Sequence, residues 1–179
     1  MTRFNPLLLA GFIALAFVSA GSAQRRTSPP ASVAAVIGGD HISIDYYAPS
    51  MYGRKIMGDL VPYGEVWCTG ANWATKITTE AGLDINGLKV PKGSYSIWTL
   101  PNEKQWMLII NKQTGQFHLN YDESEDFGRV KMNLKALSSP VERFKIEVAS
   151  TGGNTGGNTG TLSLLWENTD AWVPITVLH

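Results

Sequence analysis

The segment between Tyr46 and Thr75 carries the densest group of side chains that could bind a ligand. Polar and aromatic residues stand there among glycines, and the ligand-binding candidates are Arg54, Tyr63, Trp67, Asn72 and Thr75. Such residues often form a site when a rigid scaffold holds the loop that bears them. The alternative is a long structured crossover in which Arg54 pairs with a carboxylate and the amide groups bond to the backbone.

A short acidic cluster follows Tyr121. Its members are Asp122, Glu123, Glu125 and Asp126, and carboxylates this close together can hold calcium. The spacing lacks the twelve-residue loop with its central glycine and distal glutamate. We therefore predict a solvated loop whose charges lysine or arginine offsets, and no bound metal, with calcium as the weaker alternative.

The single cysteine, Cys68, excludes an intramolecular disulfide. A thiol nucleophile needs a base or a lowered pKa, and nothing in the spacing brings any of the three histidines to Cys68. The chain also lacks the G-x-S-x-G, H-E-x-x-H and C-x-x-C patterns of hydrolases, zinc enzymes and redox proteins. We predict a buried, inert thiol, no cofactor and no assignable catalytic residue.

Six tryptophans could supply flat apolar faces for a sugar or a peptide. Three of them, Trp98, Trp106 and Trp166, lie in strand patterns and are predicted to be core residues. Trp73 follows Asn72 in a segment rich in glycine and asparagine, and the sequence leaves open whether it is exposed or buried.

The elements that must position these residues are β-strands. Apolar and polar side chains alternate over residues 42–46, 129–134, 144–148, 162–166 and 173–177. Apolar residues at every second position are typical of half-buried strands, and no segment sustains the 3.6-residue periodicity of a helix. About ten short strands with frequent turns predict an all-β fold, an antiparallel β-sandwich of jelly-roll type, with a closed β-barrel as the alternative.

Turn residues predict how the strands connect. Gly38-Gly39-Asp40 and Asn86-Gly87 are hairpin signals, and residues 101–104 join two apolar runs in a further hairpin. Residues 151–160 read T-G-G-N-T-G-G-N-T-G between two strand patterns. A glycine-rich segment loses much conformational entropy when it becomes ordered, and without apolar residues it gains no burial energy to offset that loss. We therefore predict a flexible hairpin tip there.

The N-terminus predicts export. Arg3 precedes an apolar run from Leu7 to Val18 and then small residues, which together form a signal peptide over residues 1–23. Cleavage is expected between Ala23 and Gln24. Because the apolar run is far shorter than the ~20 residues of a membrane-spanning helix, we expect no transmembrane segment after cleavage. Residues 24–31 then form an extended lead-in and residues 32–179 a single domain, which is periplasmic or secreted.

The charge balance excludes two kinds of partner. The chain has 15 basic and 15 acidic residues, so loss of Arg3 leaves 14 against 15, a net charge of −1, with no block of like charge. Nucleic acids and anionic membranes select clustered lysine and arginine. The expected partner is instead an unknown small ligand or an envelope protein.

Several blocks of the chain resemble one known family. The run P-S-M-Y-G-R-K-I-M-G-D-L-V-P-Y-G-E-V-W-C-T-G-A-N begins at Pro49, and further blocks begin at Ser28, Val90 and Tyr121. They are similar to the domain of unknown function 2911 family of exported bacterial proteins. The resemblance implies export and a single domain but no activity. All five ligand-binding candidates match the family pattern.

The chain also departs from that pattern. Members of the family usually have arginine where Cys68 stands and glutamate where Trp73 stands, and the aromatic and glycine motif before Tyr121 is replaced by residues 116–119. If the family site uses that arginine and glutamate, this protein has lost the site or changed its ligand.

Three functions remain open at this point. The first is a non-catalytic module that binds a glycan, a peptide or a partner protein. The second is a periplasmic hydrolase whose active site is unrecognised and in which Asp45, Arg54 and the acidic cluster converge. The third is a structural part of an envelope assembly. The fold alone does not choose among them.

Overall fold

The computed structural model describes residues 27–152 and 157–179. Nine β-strands and one short 3₁₀ helix, Glu123–Glu125, form the regular structure of these residues. The strands are β1 Pro30–Ile37, β2 Asp40–Tyr47, β3 Thr75–Thr79, β4 Gly82–Ile85, β5 Leu88–Val90, β6 Gly93–Leu100, β7 Trp106–Asn111, β8 Asp126–Ser150 and β9 Thr159–Leu178. The predicted all-β class is confirmed.

The nine strands form one antiparallel sheet in the order β1-β2-β3-β6-β7-β8-β9-β4-β5. In the described residues β1 pairs only with β2, and β5 pairs only with β4. The sheet therefore keeps two edges and does not close, so the barrel considered as an alternative is not formed.

Two long strands, β8 and β9, carry the sheet from one layer to the other. The register of their pairing shifts on both sides of Val141, and such irregularities bend a strand. Beyond this bend β8 lies over β2, where the rings of Tyr46 and Phe144 are 5.7 Å apart. The backbone N–H of Ile146 donates to the Tyr46 hydroxyl at 3.2 Å. Residues of β2 and β8 thus share one hydrophobic core.

The core contains the apolar half of each alternating strand. Buried residues at every second position include Ile42, Ile44, Leu162, Leu164, Val173, Ile175 and Val177. Each fully buried aliphatic side chain contributes about 1.5–3 kcal/mol. Trp98, Trp106 and Trp166 are buried as predicted, whereas Trp73 is 49% exposed.

The predicted hairpins are all present. Gly38 and Gly39 join β1 to β2, and residues 101–105 join β6 to β7. Asn86 and Gly87 join β4 to β5 with φ values of 48° and 96°, which asparagine and glycine tolerate best. β8 and β9 pair up to Ser150 and Gly160, at the two ends of the glycine-rich repeat, and residues 153–156 of the repeat lie outside the described residues.

The crossover from β2 to β3, residues 48–74, contains no strand and carries four of the five ligand-binding candidates. Isolated β-bridges attach it to the sheet, among them those from Ser50 to Arg143 in β8 and from Trp67 to Thr99 in β6. Long irregular segments of this kind are often functional. The crossover is therefore the segment on which a site has to be sought.

The N-terminal predictions are only partly within the described residues. β1 begins at Pro30, so the last two residues of the predicted lead-in, 24–31, belong to the sheet. The predicted signal peptide and its cleavage point at Ala23 and Gln24 lie outside the described residues. Within residues 27–152 and 157–179, no helix has the length and apolar character needed to cross a membrane.

Candidate functional site

Two carboxylates hold the crossover against the bend of β8 and β9. The two oxygens of Glu167 accept hydrogen bonds from the backbone N–H groups of Ile56 at 3.2 Å and Met57 at 3.0 Å. Glu142 Oε1 accepts one from the backbone N–H of Tyr52 at 2.9 Å. Hydrogen bonds to a charged acceptor are roughly twice as strong as neutral ones. They fix the irregular chain in one position relative to the sheet.

A cavity of about 310 Å³ opens between the crossover and the sheet, and we call it the crossover cavity. Its lining includes Pro49, Ser50, Arg54, Leu60, Val61, Trp67, Cys68, Ala71, Asn72, His118 and Trp166. No aspartate or glutamate belongs to the lining. The volume lies at the lower end of the ~300–1,000 Å³ typical of small-molecule sites.

Trp67 forms one wall of the crossover cavity and is held rigidly. Its ring stacks on Trp166 with centroids 5.8 Å apart and an interplanar angle of 22°, and it meets Phe144 edge-on at 5.1 Å. Its indole N–H donates to the carbonyl of Gly70 at 3.0 Å. Since the ring is half-buried and its polar atom is satisfied, Trp67 offers an apolar, preformed surface.

Arg54 lies on the polar side of the same cavity. Its Nε donates to the carbonyl of Met51 at 2.9 Å, and one Nη2 N–H donates to the carbonyl of Ser50 at 2.7 Å. The expected carboxylate partner for Arg54 is not found, because no carboxylate of the described residues lies within ion-pair distance of it. Backbone carbonyls orient the guanidinium and leave its charge unpaired.

Asn72 stands at the rim of the cavity in a left-handed conformation, with φ of 62°. Asparagine is among the few residues that adopt this conformation readily. Its carbonyl accepts a hydrogen bond from the backbone N–H of His118 at 2.9 Å, and its side-chain amide donates to the carbonyl of Ser28 at 3.4 Å. Asn72 thereby joins three segments that are distant in sequence.

The structure places the other two candidates elsewhere. Thr75 is fully buried, and its hydroxyl donates to the carbonyl of Thr69 at 2.7 Å, so it stabilises the turn that leads into β3. Tyr63 packs against Gly58 and does not line the cavity. Burial, with smaller contributions from Glu103 and Glu167, raises the pKa of Tyr63.

The model of one protein family, described as a protein of unknown function and designated DUF2911, matches residues 28–175. The chain belongs to the DUF2911 family. The match includes the whole crossover and every strand that faces it, which confirms the resemblance seen in the sequence blocks. Comparison with curated proteins and with solved structures finds no match.

Cys68 contributes to the wall of the crossover cavity. Only 2% of the residue is exposed, and burial raises the pKa of its thiol to about 12. The thiol is therefore protonated at neutral pH and is a poor nucleophile. The predicted burial of Cys68 is confirmed, and its inertness stays a prediction.

His118 also lines the crossover cavity, although it was not among the predicted ligand-binding residues. The loop after β7 brings it there, and its neighbour Phe117 forms an isolated bridge with Trp73. The departure at residues 116–119 that the resemblance implies is the one sequence signal that pointed to this loop.

The acidic cluster lies outside the crossover cavity. Asp126 accepts hydrogen bonds from the Tyr121 hydroxyl at 2.7 Å and from Arg129 Nε at 2.8 Å, and Glu123 pairs with Arg129 at 2.7 Å. Asp122 accepts from the backbone and hydroxyl of Ser124. In the described residues no group of three or more metal-binding side chains is arranged to hold an ion. Arg129 thus offsets Glu123 and Asp126, two of the four carboxylates, which does not favour the calcium alternative at Asp122, Glu123, Glu125 and Asp126.

A second, more open cavity of about 510 Å³ lies on the outer face of β1 and β2. It is lined by Trp73 and by Asp45, which pairs with Lys76 at 3.3 Å. Asp45 and Arg54 thus line different cavities, and the acidic cluster lines neither. The convergence required by the hydrolase hypothesis is absent from the described residues.

Proposed function

We propose that this member of the DUF2911 family is a non-catalytic binding module whose ligand occupies the crossover cavity. The observation that carries the proposal is the meeting of Arg54, Trp67 and Asn72 around one cavity. They combine a rigid aromatic wall with a cation and an amide, which is the composition of a small-molecule site. The cavity volume favours one small organic molecule, or one unit of a longer ligand, over a flat protein surface.

The state of the ionisable groups supports binding rather than catalysis. The Cys68 thiol is protonated, and Asp45 is paired with Lys76 on another face of the sheet. Glu142 and Glu167 are hydrogen-bonded to backbone amides of the crossover. A general acid or base has to reach the substrate with its proton-accepting atom free, and these groups are already occupied.

We further propose that the module works outside the cytoplasm, in the periplasm or as a secreted protein. The support is the signal-peptide pattern of residues 1–23 and the family resemblance. Expression of the full chain with its own N-terminus, followed by cell fractionation and mass spectrometry, tests this. A mature protein that begins at Gln24 in the exported fraction is expected, and an uncleaved protein in the cytoplasm contradicts it.

A cavity-filling variant tests the binding proposal directly. Ala71 lines the crossover cavity, so Ala71→Leu should abolish binding by occupying the space of the ligand. Ala34, which is exposed on β1 and lines neither cavity described above, provides the matched control Ala34→Leu. Ligand-observed NMR with small aromatic compounds, monosaccharides and N-acetylated amino acids reports binding, and thermal denaturation verifies folding.

We expect at least one compound to bind the wild type and Ala34→Leu but not Ala71→Leu. Compounds that bind all three proteins equally would show that the ligand lies elsewhere, and the proposal would then be wrong. Failure of the entire set to bind the wild type would equally count against a small-molecule site.

One observation favours a second candidate, a role in a protein assembly. Trp73, Phe117 and Leu119 are 49%, 40% and 74% exposed, and the rings of Trp73 and Phe117 are 5.9 Å apart. Exposed apolar groups that lie together often mark contact surfaces. Loss of co-purifying envelope proteins in a Trp73→Ser, Leu119→Ser double variant, with the fold intact, is the expected result. An unchanged set of co-purifying proteins contradicts it.

A further inference from the structure

We propose that the crossover cavity is a site for the carboxylate of a small organic acid with an apolar body, held by Arg54. This inference rests on the proposed binding function and names the class of its ligand.

The first argument concerns the free donors of Arg54. A guanidinium has five N–H donors, and two of them are used, by the carbonyls of Met51 and Ser50. Three donors therefore have no partner among the described residues, two on Nη1 and one on Nη2. Adjacent N–H groups on the two terminal nitrogens are the pair that a carboxylate accepts in a bidentate contact. Because the carbonyls already fix the side chain, little rotamer entropy remains to be lost on binding.

The second argument concerns charge. The lining contains one permanent cation, Arg54, one histidine, His118, and no carboxylate. The two carboxylates that approach the crossover, Glu142 and Glu167, accept hydrogen bonds from backbone N–H groups instead of pairing with Arg54. A partly buried cation without a partner is costly, and an anionic ligand removes that cost. The cavity is therefore complementary to negative charge.

The third argument concerns the rest of the ligand. Besides these polar groups, the lining includes four apolar side chains, Trp67, Trp166, Leu60 and Val61. These side chains offer no charged group, and the indole N–H groups of both tryptophans are already bonded to backbone carbonyls. An apolar or aromatic body fits such a wall, whereas a small fully hydrated anion gains nothing from it. One carboxylate joined to one apolar group satisfies both sides of the cavity.

The test compares two probes of nearly the same shape, indole-3-acetate and indole-3-acetamide, which differ in the charge and the hydrogen-bonding atoms of one terminal group. Isothermal titration calorimetry of the full mature chain should show the acid binding about 10- to 100-fold more tightly, the range expected for a charge-assisted contact. In Arg54→Gln the affinity for the acid should fall to roughly that for the amide, while the amide affinity stays within about 2-fold. Arg54→Lys, which keeps the charge but not the planar pair of donors, should give an intermediate preference.

Arg143 provides a matched control. It is exposed, reaches Ser50 Oγ at 3.4 Å from outside and is not part of the cavity lining, so Arg143→Gln removes the same charge nearby. Arg143→Gln should still bind the acid more tightly than the amide. If Arg143→Gln lost this preference as Arg54→Gln does, the preference would come from long-range charge and not from contact with Arg54. Equal affinity of the wild type for acid and amide overturns the inference but leaves the binding function intact. Absence of binding by both probes at 10 mM, or equal competition by inorganic phosphate, also overturns it.

Discussion

Cys68 should make the stability of the protein depend on alkaline pH in a way that disappears when the thiol is removed. Burial raises the pKa of this thiol from 9.0 to about 12 in the folded protein. In the unfolded chain the thiol loses its proton near its ordinary pKa of 9.0. Between pH 9.0 and about pH 12, ionisation of the thiol therefore stabilises the unfolded state relative to the folded state. The stabilisation is complete below the unfolded pKa, and it is lost as the pH rises toward the folded pKa.

The magnitude follows from linkage. Between pH 8 and pH 10 the unfolded thiol ionises almost fully, whereas the folded thiol stays protonated. One pKa unit corresponds to 1.36 kcal/mol, so this single group should lower the free energy of unfolding by about 1.4 kcal/mol over that interval. Cys68→Ala removes the group and adds an offset for the lost packing that does not depend on pH.

Urea unfolding followed by tryptophan fluorescence measures the effect at both pH values in the wild type and in Cys68→Ala. Lysines and tyrosines also titrate in this range, but their contributions are common to both proteins and cancel in the difference. We expect the wild type to lose about 1.4 kcal/mol more than the variant. Equal losses would mean that the folded thiol ionises freely, which would refute the buried state of Cys68 and reopen a nucleophilic role.

Two further pairs of substitutions, each a test and its control, examine how the crossover is held. Glu167→Ala removes both acceptors for the crossover amides and should lower the free energy of unfolding by about 1.5–3 kcal/mol in urea titrations, whereas Glu80→Ala, which loses one exposed acceptor at 3.3 Å, should change it by less than about 0.5 kcal/mol. Gly58→Ala and Gly53→Ala both force a side chain into positive φ, at 80° and 72°, and each should cost about 1 kcal/mol. Only Gly58→Ala also brings a Cβ to 2.7 Å from the ring of Tyr63, so we expect a larger fall in Tm for this variant. Equal falls in the two variants would show that the contact with Tyr63 does not affect stability.

The fold could be predicted because its signals are local. Alternation in residues 42–46 or 173–177 decides which half of a strand is buried, and Asn86-Gly87 decides where a chain reverses. The same signals do not give the order of the strands in the sheet. β9 pairs with β4 across almost a hundred residues, and no short-range pattern encodes that choice.

The candidate site was predictable only in part, because residue type indicates chemistry but not direction. Arg54, Trp67 and Asn72 face one cavity, yet Thr75 has the same polar character and points into the backbone of its own turn. The prediction that Arg54 pairs with a carboxylate was wrong, because Arg54 donates to two backbone carbonyls instead. His118 reaches the cavity through a loop more than forty residues further along the chain, which tertiary structure alone determines.

Two of the three departures that the resemblance implies, at Cys68 and Trp73, would change the charge of this region in a balanced way. The resemblance places arginine where Cys68 stands and glutamate where Trp73 stands, so one positive and one negative charge are absent together. Cys68 lines the crossover cavity, while Trp73 lines the neighbouring one. The crossover cavity therefore keeps Arg54 as its only permanent cation among the described residues. A single fixed charge next to a wall of tryptophan suits a monoanion with an apolar body, and it suits a multiply charged ligand less well, because extra charges would have to leave water without a partner.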